Sequence, residues 1–153
     1  MKDILTILRL IEKLEESLSK LYVLFSNKFS DNQEIKSFYH QLSVEEDSHR
    51  NLVNYQIRVA RQNEDIFSNV EVDVEEIKNA LQKINLIMEN SSISIEDALR
   101  FTVNIEFSLA EQYAANLMKQ SNKEFSKLID SLVSGFKEHH KKIKNMAEKY
   151  NIK

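Results

Sequence analysis

Apolar residues recur along most of the chain in steps of three and four, the spacing that places them on one face of an α-helix. In the first segment they occupy positions 4, 7, 8, 11, 14, 18, 21, 22, 25 and 29. This pattern predicts a helix over residues 2–28. Polar residues of the type that caps helices, at 30–33, separate it from a second periodic segment, which predicts a helix over 32–62.

The periodic pattern weakens after residue 62 and returns at 73, which predicts a connecting loop followed by a shorter helix over 73–90. A polar run at 90–92 ends that helix. Ser94, followed by an apolar and two acidic residues, is typical of a helix N-cap. We therefore expect a further helix over 94–121 and a last one over 123–150.

The second half of the chain repeats the first at a distance of 91 residues. Without a gap, this shift aligns identical residues in both helices of the repeated unit: Leu8 with Leu99, Arg9 with Arg100, Glu15 with Glu106, Tyr22 with Tyr113 and His49 with His140. Because the unit is a pair of helices, the sequence predicts two equivalent hairpins. The expected fold is all-α: a single domain over 1–153, built as a four-helix bundle whose long crossover carries the short helix.

The composition excludes several kinds of site. The chain has 153 residues with one Gly, no Pro and no Cys, which argues against Gly-rich phosphate loops and excludes disulfides, thiolate metal sites and cysteine nucleophiles. A net charge of −3 offers no basic face on which to expect nucleic acid. The sequence has no run of about 18 apolar residues for a membrane span, and its first residues lack an apolar signal segment. We expect a cytoplasmic protein.

Five ionisable residues interrupt the apolar stripes near the middle of their helices: Glu15, Glu46, His49, Glu106 and His140. Each lies three or four residues from apolar neighbours, so each is expected to point toward the interior. Any one of them, taken alone, is more simply explained as a surface residue on a wet edge of the stripe. Together they indicate a functional site, because carboxylates and imidazoles recur at equivalent places in the repeat.

Glu46 and His49 form a Glu-x-x-His pair, which sets a carboxylate and an imidazole one helical turn apart on the same face. A glutamate from each of two helices, with a Glu-x-x-His pair from each of two others, is the ligand arrangement of carboxylate-bridged dimetal proteins. Glu15 and Glu106 occur where the single glutamates are needed, and His140 where the second histidine is needed. The sequence therefore predicts a buried metal site.

At these positions the sequence resembles the rubrerythrin branch of the ferritin-like superfamily, and the resemblance covers nearly the whole chain. It implies that the five residues bind iron, or manganese as the second choice, and that Tyr22 and Tyr113 hydrogen-bond to ligand carboxylates. The alternative for these tyrosines is that they are core residues whose hydroxyl groups reach any acceptor.

The same resemblance implies an activity and partners. The activity is reduction of peroxide or handling of dioxygen, and family members usually associate, so we expect a homodimer or a larger assembly. Rubrerythrins usually carry a cysteine-bound iron that delivers electrons. Because this chain has no Cys, its electron donor would be another protein.

Lys137 departs from the family pattern, because the repeat places it where the second Glu-x-x-His pair needs its glutamate. A protonated lysine cannot ligate a metal. We expect its ammonium group to lie among Glu15, Glu46 and Glu106; the alternative is that its stem extends to solvent. Three glutamates and one lysine would balance one divalent cation but not two. The sequence thus predicts at most one tightly bound metal and weak peroxide chemistry.

Other acidic and histidine residues are expected to lie off the shared face. Glu45 and Glu111 are predicted to be solvated, and His139 to face a neighbouring helix or solvent. Three hypotheses for the function follow, of which the third, iron storage in a shell of many subunits, rests on analogy of fold alone. The first is an iron-dependent redox protein with a buried Glu/His site. The second is a degenerate, metal-poor bundle that acts as a structural or partner-binding protein, and Lys137 favours it.

Overall fold

The computed structural model describes residues 4–62, 72–108, 110–112 and 126–152, with the backbone alone over 126–136. Within these ranges the protein is helical and has no β-strand, which confirms the all-α prediction. Its long helices are α1 (Ile4–Lys28), α2 (Gln33–Gln62), α3 (Val74–Met88), α4 (Ile95–Glu106) and α5 (Ser126–Lys149). None of the described helices is both long enough and apolar enough to cross a membrane.

Helices α1 and α2 form an antiparallel hairpin with an extensive shared interface. The second helix is entered at Asn32, whose Oδ1 accepts a hydrogen bond from the backbone N–H of Ile35 at 3.2 Å. Farther along, Ser19 Oγ donates to the backbone carbonyl of Ser43 at 3.1 Å and so fixes how the two helices lie against each other. The predicted end of α1 and both predicted limits of α2 are confirmed to within one residue, and the predicted start at residue 2 lies outside the described residues.

Helices α3 and α4 both begin at a side-chain cap. The Asp73 carboxylate accepts a hydrogen bond from the backbone N–H of Glu75 at 3.0 Å, and Ser94 Oγ accepts one from Asp97 at 3.1 Å. Each cap satisfies a backbone N–H that the first turn of a helix leaves without a partner. The predicted starting points of these two helices are therefore confirmed.

The crossover helix α3 packs against α1. Its apolar residues are spaced three or four positions apart and are buried: Val74, Ile77, Ala80, Leu81 and Ile84. Burial of about this many aliphatic side chains contributes several kcal/mol to docking of the helix. The apolar stripe of α3 is therefore covered within its own chain.

The prediction of one unbroken helix after Ser94 is wrong at Glu106, where α4 ends. Phe107 follows with φ −101° and ψ 14°, and the Ser108 hydroxyl donates to the carbonyl of Ile105 at 2.6 Å. Such a side-chain bond competes with the backbone bond that would continue the helix. Helical backbone resumes at 110–112, where the backbone N–H of Gln112 donates to the carbonyl of Ser108 at 3.1 Å.

Helix α5 packs against α4 and α2. Its buried side chains include His139, Ile143 and Ala147, which follow one another in steps of four. Beyond the helix, the Tyr150 hydroxyl accepts a hydrogen bond from Asn32 Nδ2 at 3.1 Å. This bond ties the end of α5 to the turn between α1 and α2. The predicted equivalence of two hairpins stays a prediction, because residues 113–125 lie outside the described part.

Candidate metal centre

A first group of ligand atoms joins α1 and α2. Glu15, Glu46 and His49 are all buried, the two glutamates completely. His49 Nδ1 lies 3.5 Å from Glu15 Oε2 and 3.3 Å from Glu46 Oε2. One ligand atom from each of these residues lies within 4.8 Å of the others, the separation expected around a single cation. The structure therefore brings together three of the five ligands predicted from the sequence.

A second group shares Glu46 with the first. His139 Nε2 lies 2.9 Å from Glu46 Oε1 and 3.1 Å from Glu106 Oε1. These three buried side chains also offer ligand atoms within 4.8 Å of one another. The two oxygens of Glu46 thus face different histidines, Oε2 toward His49 and Oε1 toward His139. A carboxylate placed in this way can bridge two cations.

Glu111 adds a fourth buried carboxylate, so the prediction that it is solvated is wrong. It is only 3% exposed. In an unbroken helix, five residues correspond to about 500° of rotation, which would turn Glu111 about 140° away from Glu106. Helix α4 ends at Glu106, so this regular rotation does not apply between the two residues. Burial raises the pKa of Glu111 well above its usual value, and the nearby Glu15 and Glu106 raise it further.

Several buried oxygens and one nitrogen of this centre make no well-aligned hydrogen bond within the described part of the chain, although His139 Nε2 lies 2.9 Å from Glu46 Oε1. They are both carboxylate oxygens of Glu15, Oε1 of Glu46, Oε2 of Glu106, Oε1 of Glu111 and Nε2 of His139. Buried polar atoms are rarely left unpaired, since each costs about 1–3 kcal/mol. The unpaired atoms are all of the type that ligates metals, and they converge on one region. The residues present therefore fit a metal ion.

The electrostatics of the centre differ from one carboxylate to the next. Burial raises the pKa of Glu15, and the neighbouring Glu46 raises it further. Burial and the charge of Glu106 raise the pKa of Glu46. Burial also acts to raise the pKa of Glu106, but the charge and hydrogen bond of His139 outweigh it and lower this pKa to about 2. The centre therefore holds protons tightly when no cation neutralises its carboxylates.

His139 is the positive group within this arrangement. Burial lowers its pKa, but Glu106, Glu45 and Glu46 together raise it above the usual histidine value. Its Nδ1 lies 3.4 Å from Glu45 Oε2, on the side of the ring away from the second ligand group. Lys142 Nζ donates to Glu45 Oε1 at 2.6 Å. A carboxylate behind a ligating histidine fixes the ring and directs its other nitrogen toward the metal.

Tyr22 occupies the place predicted for it, because its hydroxyl donates to Glu106 Oε1 at 2.5 Å. The ring is completely buried against Tyr39, with centroids 5.7 Å apart. Burial raises the pKa of Tyr22 well above its usual value, and Glu106 raises it further, so the hydroxyl keeps its proton. Tyr113, predicted to play the same part in the repeat, lies outside the described residues.

His140 does not join either group of ligand atoms. It is half-buried, and its ring lies 4.7 Å from that of Phe107. Its neighbour His139 is fully buried instead. The sequence contained a signal for the burial of His139, because His139, Ile143 and Ala147 follow one another in steps of four and share one helix face. The repeat shift of 91 aligned His140 with His49, whereas a shift of 90 aligns His139.

The prediction that the Lys137 ammonium lies among the glutamates is wrong, because the Lys137 side chain is exposed. It lies two residues before His139, which corresponds to about 200° of rotation on a helix. A side chain on that opposite face is directed to solvent once His139 points inward. The exposure matches the alternative in which the lysine stem extends to water.

Comparison with protein-family models, with curated proteins and with solved structures finds no match to this chain.

Proposed function

We propose that this protein binds two divalent cations in the Glu/His centre and uses them for redox chemistry on peroxide or dioxygen, in a ferritin-like bundle of the rubrerythrin kind. The observation that carries the proposal is the position of Glu46 between two histidines, with one carboxylate oxygen toward each. A single-cation site does not require a shared carboxylate of this kind. The redox activity rests on the resemblance in sequence and on the type of ligands.

The ligands divide into two sets around Glu46. One cation would be held by Glu15, Glu46 and His49, and the other by Glu46, Glu106 and His139. Glu111 supplies a further carboxylate near Glu15 and Glu106. Three ligands leave room at each cation for Glu111, water or a substrate.

Charge balance favours two cations over one. Four buried glutamates carry about −4, which two divalent cations neutralise, whereas one would leave excess negative charge in a poorly solvated interior. The prediction of a single metal requires three glutamates in the centre and the Lys137 ammonium among them. Glu111 is buried and Lys137 is exposed, so neither premise holds. Because the Lys137 side chain is exposed, this residue no longer favours a metal-poor scaffold.

Iron or manganese suits this set of ligands, since carboxylates and neutral imidazoles favour both metals. Bound iron would supply the electrons that peroxide or dioxygen accepts. Around it, the chain's own residues position the ligands: Tyr22 orients the Glu106 carboxylate, and Glu45 orients the His139 ring. The apolar core around the centre excludes bulk water. Electrons would come from a separate donor protein, because the chain has no Cys for a second iron centre.

A matched pair of glutamates in α1 tests this function. Glu15 is buried in the centre, whereas its neighbour Glu16 is partly exposed and pairs with Lys20 at 3.1 Å. Protein loaded anaerobically with ferrous iron is mixed with peroxide, and oxidation of the iron is followed by absorbance. We expect Glu15→Gln to slow oxidation roughly tenfold or more, as loss of a metal-site residue does, and Glu16→Gln to leave it unchanged. Oxidation no faster than that of free ferrous iron would contradict the proposal.

A further inference from the structure

A second polar site lies on the outer surface of the α1–α2 hairpin. It is a concave pocket of about 440 Å³ between an early turn of α1 and the last turns of α2. Its lining consists of three arginines, one glutamate, one asparagine and one aliphatic residue: Arg9, Arg58, Arg61, Glu12, Asn54 and Ile57. None of these residues belongs to the metal centre, so any ligand here is bound separately from the cations.

The three arginines of this pocket form no ion pair within the described part of the chain. Other arginines of the protein do find partners: Arg100 bonds to Asp97 at 2.9 Å, and Arg50 lies 3.8 Å from Asp47. In the pocket, Arg58 instead lies over the ring of Tyr55, 5.9 Å from its centroid. Like charges placed together repel one another. An anion bound between the guanidinium groups would remove that repulsion.

The choice of arginine at this pocket is itself informative. The chain contains 5 arginines and 16 lysines, yet 3 of the arginines and no lysine line the pocket. A lysine would serve equally well for a solvated surface charge. Arginine differs because its planar guanidinium donates two parallel hydrogen bonds to an oxyanion such as phosphate. The composition of the pocket therefore indicates recognition of an oxyanion.

We propose that this pocket binds the phosphate group of a small phosphate monoester. The lining carries about +2, from three arginines and Glu12, which matches a phosphate monoester dianion. The volume lies within the range of pockets that hold small organic molecules and exceeds what a lone phosphate fills. Asn54 supplies an amide for the organic part. The pocket forms between the α1 and α2 backbones, so it belongs to the folded hairpin.

Binding is tested by calorimetry and by NMR of the arginine side chains at physiological salt. The probes are adenosine monophosphate, inorganic phosphate, and adenosine as the uncharged control. We expect saturable millimolar or tighter binding of the monophosphate, weaker binding of inorganic phosphate and none of adenosine. The Nε–Hε signals of Arg9, Arg58 and Arg61 should shift, while that of Arg100 stays in place.

Substitutions distinguish specific binding in this pocket from nonspecific attraction of anions to positive charge. Arg58→Gln and Arg61→Gln should each weaken binding of the monophosphate roughly tenfold, the effect of losing a charged hydrogen bond. Arg100→Gln, which removes an equal charge elsewhere, should leave binding unchanged, and thermal unfolding confirms that each variant is folded. Absence of saturable binding overturns the proposal. It is also overturned if Arg100→Gln weakens binding as much as the pocket variants do.

Discussion

Glu46 determines what the centre can hold, because one of its oxygens faces His49 and the other faces His139. A buried carboxylate with a histidine at each oxygen is costly without positive charge, since removing one ion from water costs several kcal/mol. Protons supply that charge in part, through raised pKa values at Glu15 and Glu46. Divalent cations would supply all of it and would also satisfy the unpaired oxygens.

The two adjacent histidines of α5 give the sharpest residue-level prediction. Because His139 is buried against Glu46 and Glu106, His139→Gln should remove one cation and leave the other group intact. His140→Gln should retain both, since His140 lies in neither group. The two variants are compared by the amount of ferrous iron that each chain retains after anaerobic gel filtration. Loss of iron in His140→Gln with full loading in His139→Gln would show that the repeat alignment was right.

Glu45 is expected to act on the metal only through His139. It contacts Nδ1 of the ring, and Lys142 holds it in place. Loss of such a partner typically weakens metal binding about 10- to 100-fold. Glu45→Gln should therefore weaken one of the two binding steps by about that factor and leave the other unchanged, as measured by competition with a chelator. Equal weakening of both steps would indicate a general effect on folding.

The buried acids also set how stability depends on pH. Glu15, Glu46 and Glu111 have pKa values raised mainly by burial, and that of His139 is raised by its carboxylate neighbours. A group with a raised folded pKa stabilises the fold below its unfolded pKa, and this contribution is lost as pH rises through the folded value. Glu106 has a lowered folded pKa of about 2, so its contribution to stability is lost only when the pH falls below its unfolded pKa of 4.5.

The metal-free protein should consequently lose stability as pH rises from about 5 to about 8. Cation binding displaces the same protons, so the stabilisation by metal should grow over that range. Urea unfolding with a chelator and with excess manganese, at both ends of the range, measures the two trends. Glu111→Gln removes one of the raised groups and should flatten the slope of the metal-free protein. A metal-free stability that rises with pH would contradict this interpretation.

At the scale of elements, α4 ends before Glu111, and the buried Glu111 adds a fourth carboxylate to the centre. Glu111→Gln should weaken cation binding and reduce the charge available for two cations. Glu138→Gln, which changes an exposed carboxylate near the site in sequence, is the matched control and should have no effect. The measurement is manganese affinity by titration calorimetry. Identical affinities for both variants would mean that Glu111 is only a buried neutral acid.

Most elements could be predicted from the sequence because local signals specify them. The caps at Asp73 and Ser94 specify where α3 and α4 begin, and the apolar spacing specifies the end of α1 and both limits of α2. The break after Glu106 could not be predicted in this way. It depends on a hydroxyl that bonds to a backbone carbonyl, and Ser108 has no side-chain feature that distinguishes it from a serine facing solvent.

The ligand set was predictable only where helical phase was certain. Glu15, Glu46, His49 and Glu106 lie on well-defined stripes and are buried as expected. For adjacent histidines in α5, an error of one residue corresponds to about 100° of rotation. The repeat shift of 91 predicts that His140 points inward, whereas the packing of Ile143 and Ala147 directs His139 inward. The same repeat shift also predicted that Lys137 points inward. One error in the helical phase of α5 therefore affected the predicted positions of both residues.

For the whole molecule, the described helices enclose one core in which the polar centre is surrounded by apolar side chains. The predicted homodimer stays a prediction. The buried apolar stripe of the crossover helix α3 packs on α1 within its own chain and is not free for association. Association would therefore have to use other surfaces, such as the face of the first hairpin where Val23 and Val44 are exposed.

The number of cations bound per chain tests the central claim most directly. Protein purified without chelators is loaded anaerobically with ferrous iron, passed through a desalting column, and analysed for iron and protein together. Four buried glutamates, two buried histidines and a shared Glu46 predict about two irons per chain at saturation. A plateau at one iron would contradict the bridging role of Glu46 and restore the count inferred from Lys137. No retained iron or manganese would contradict the metal centre altogether.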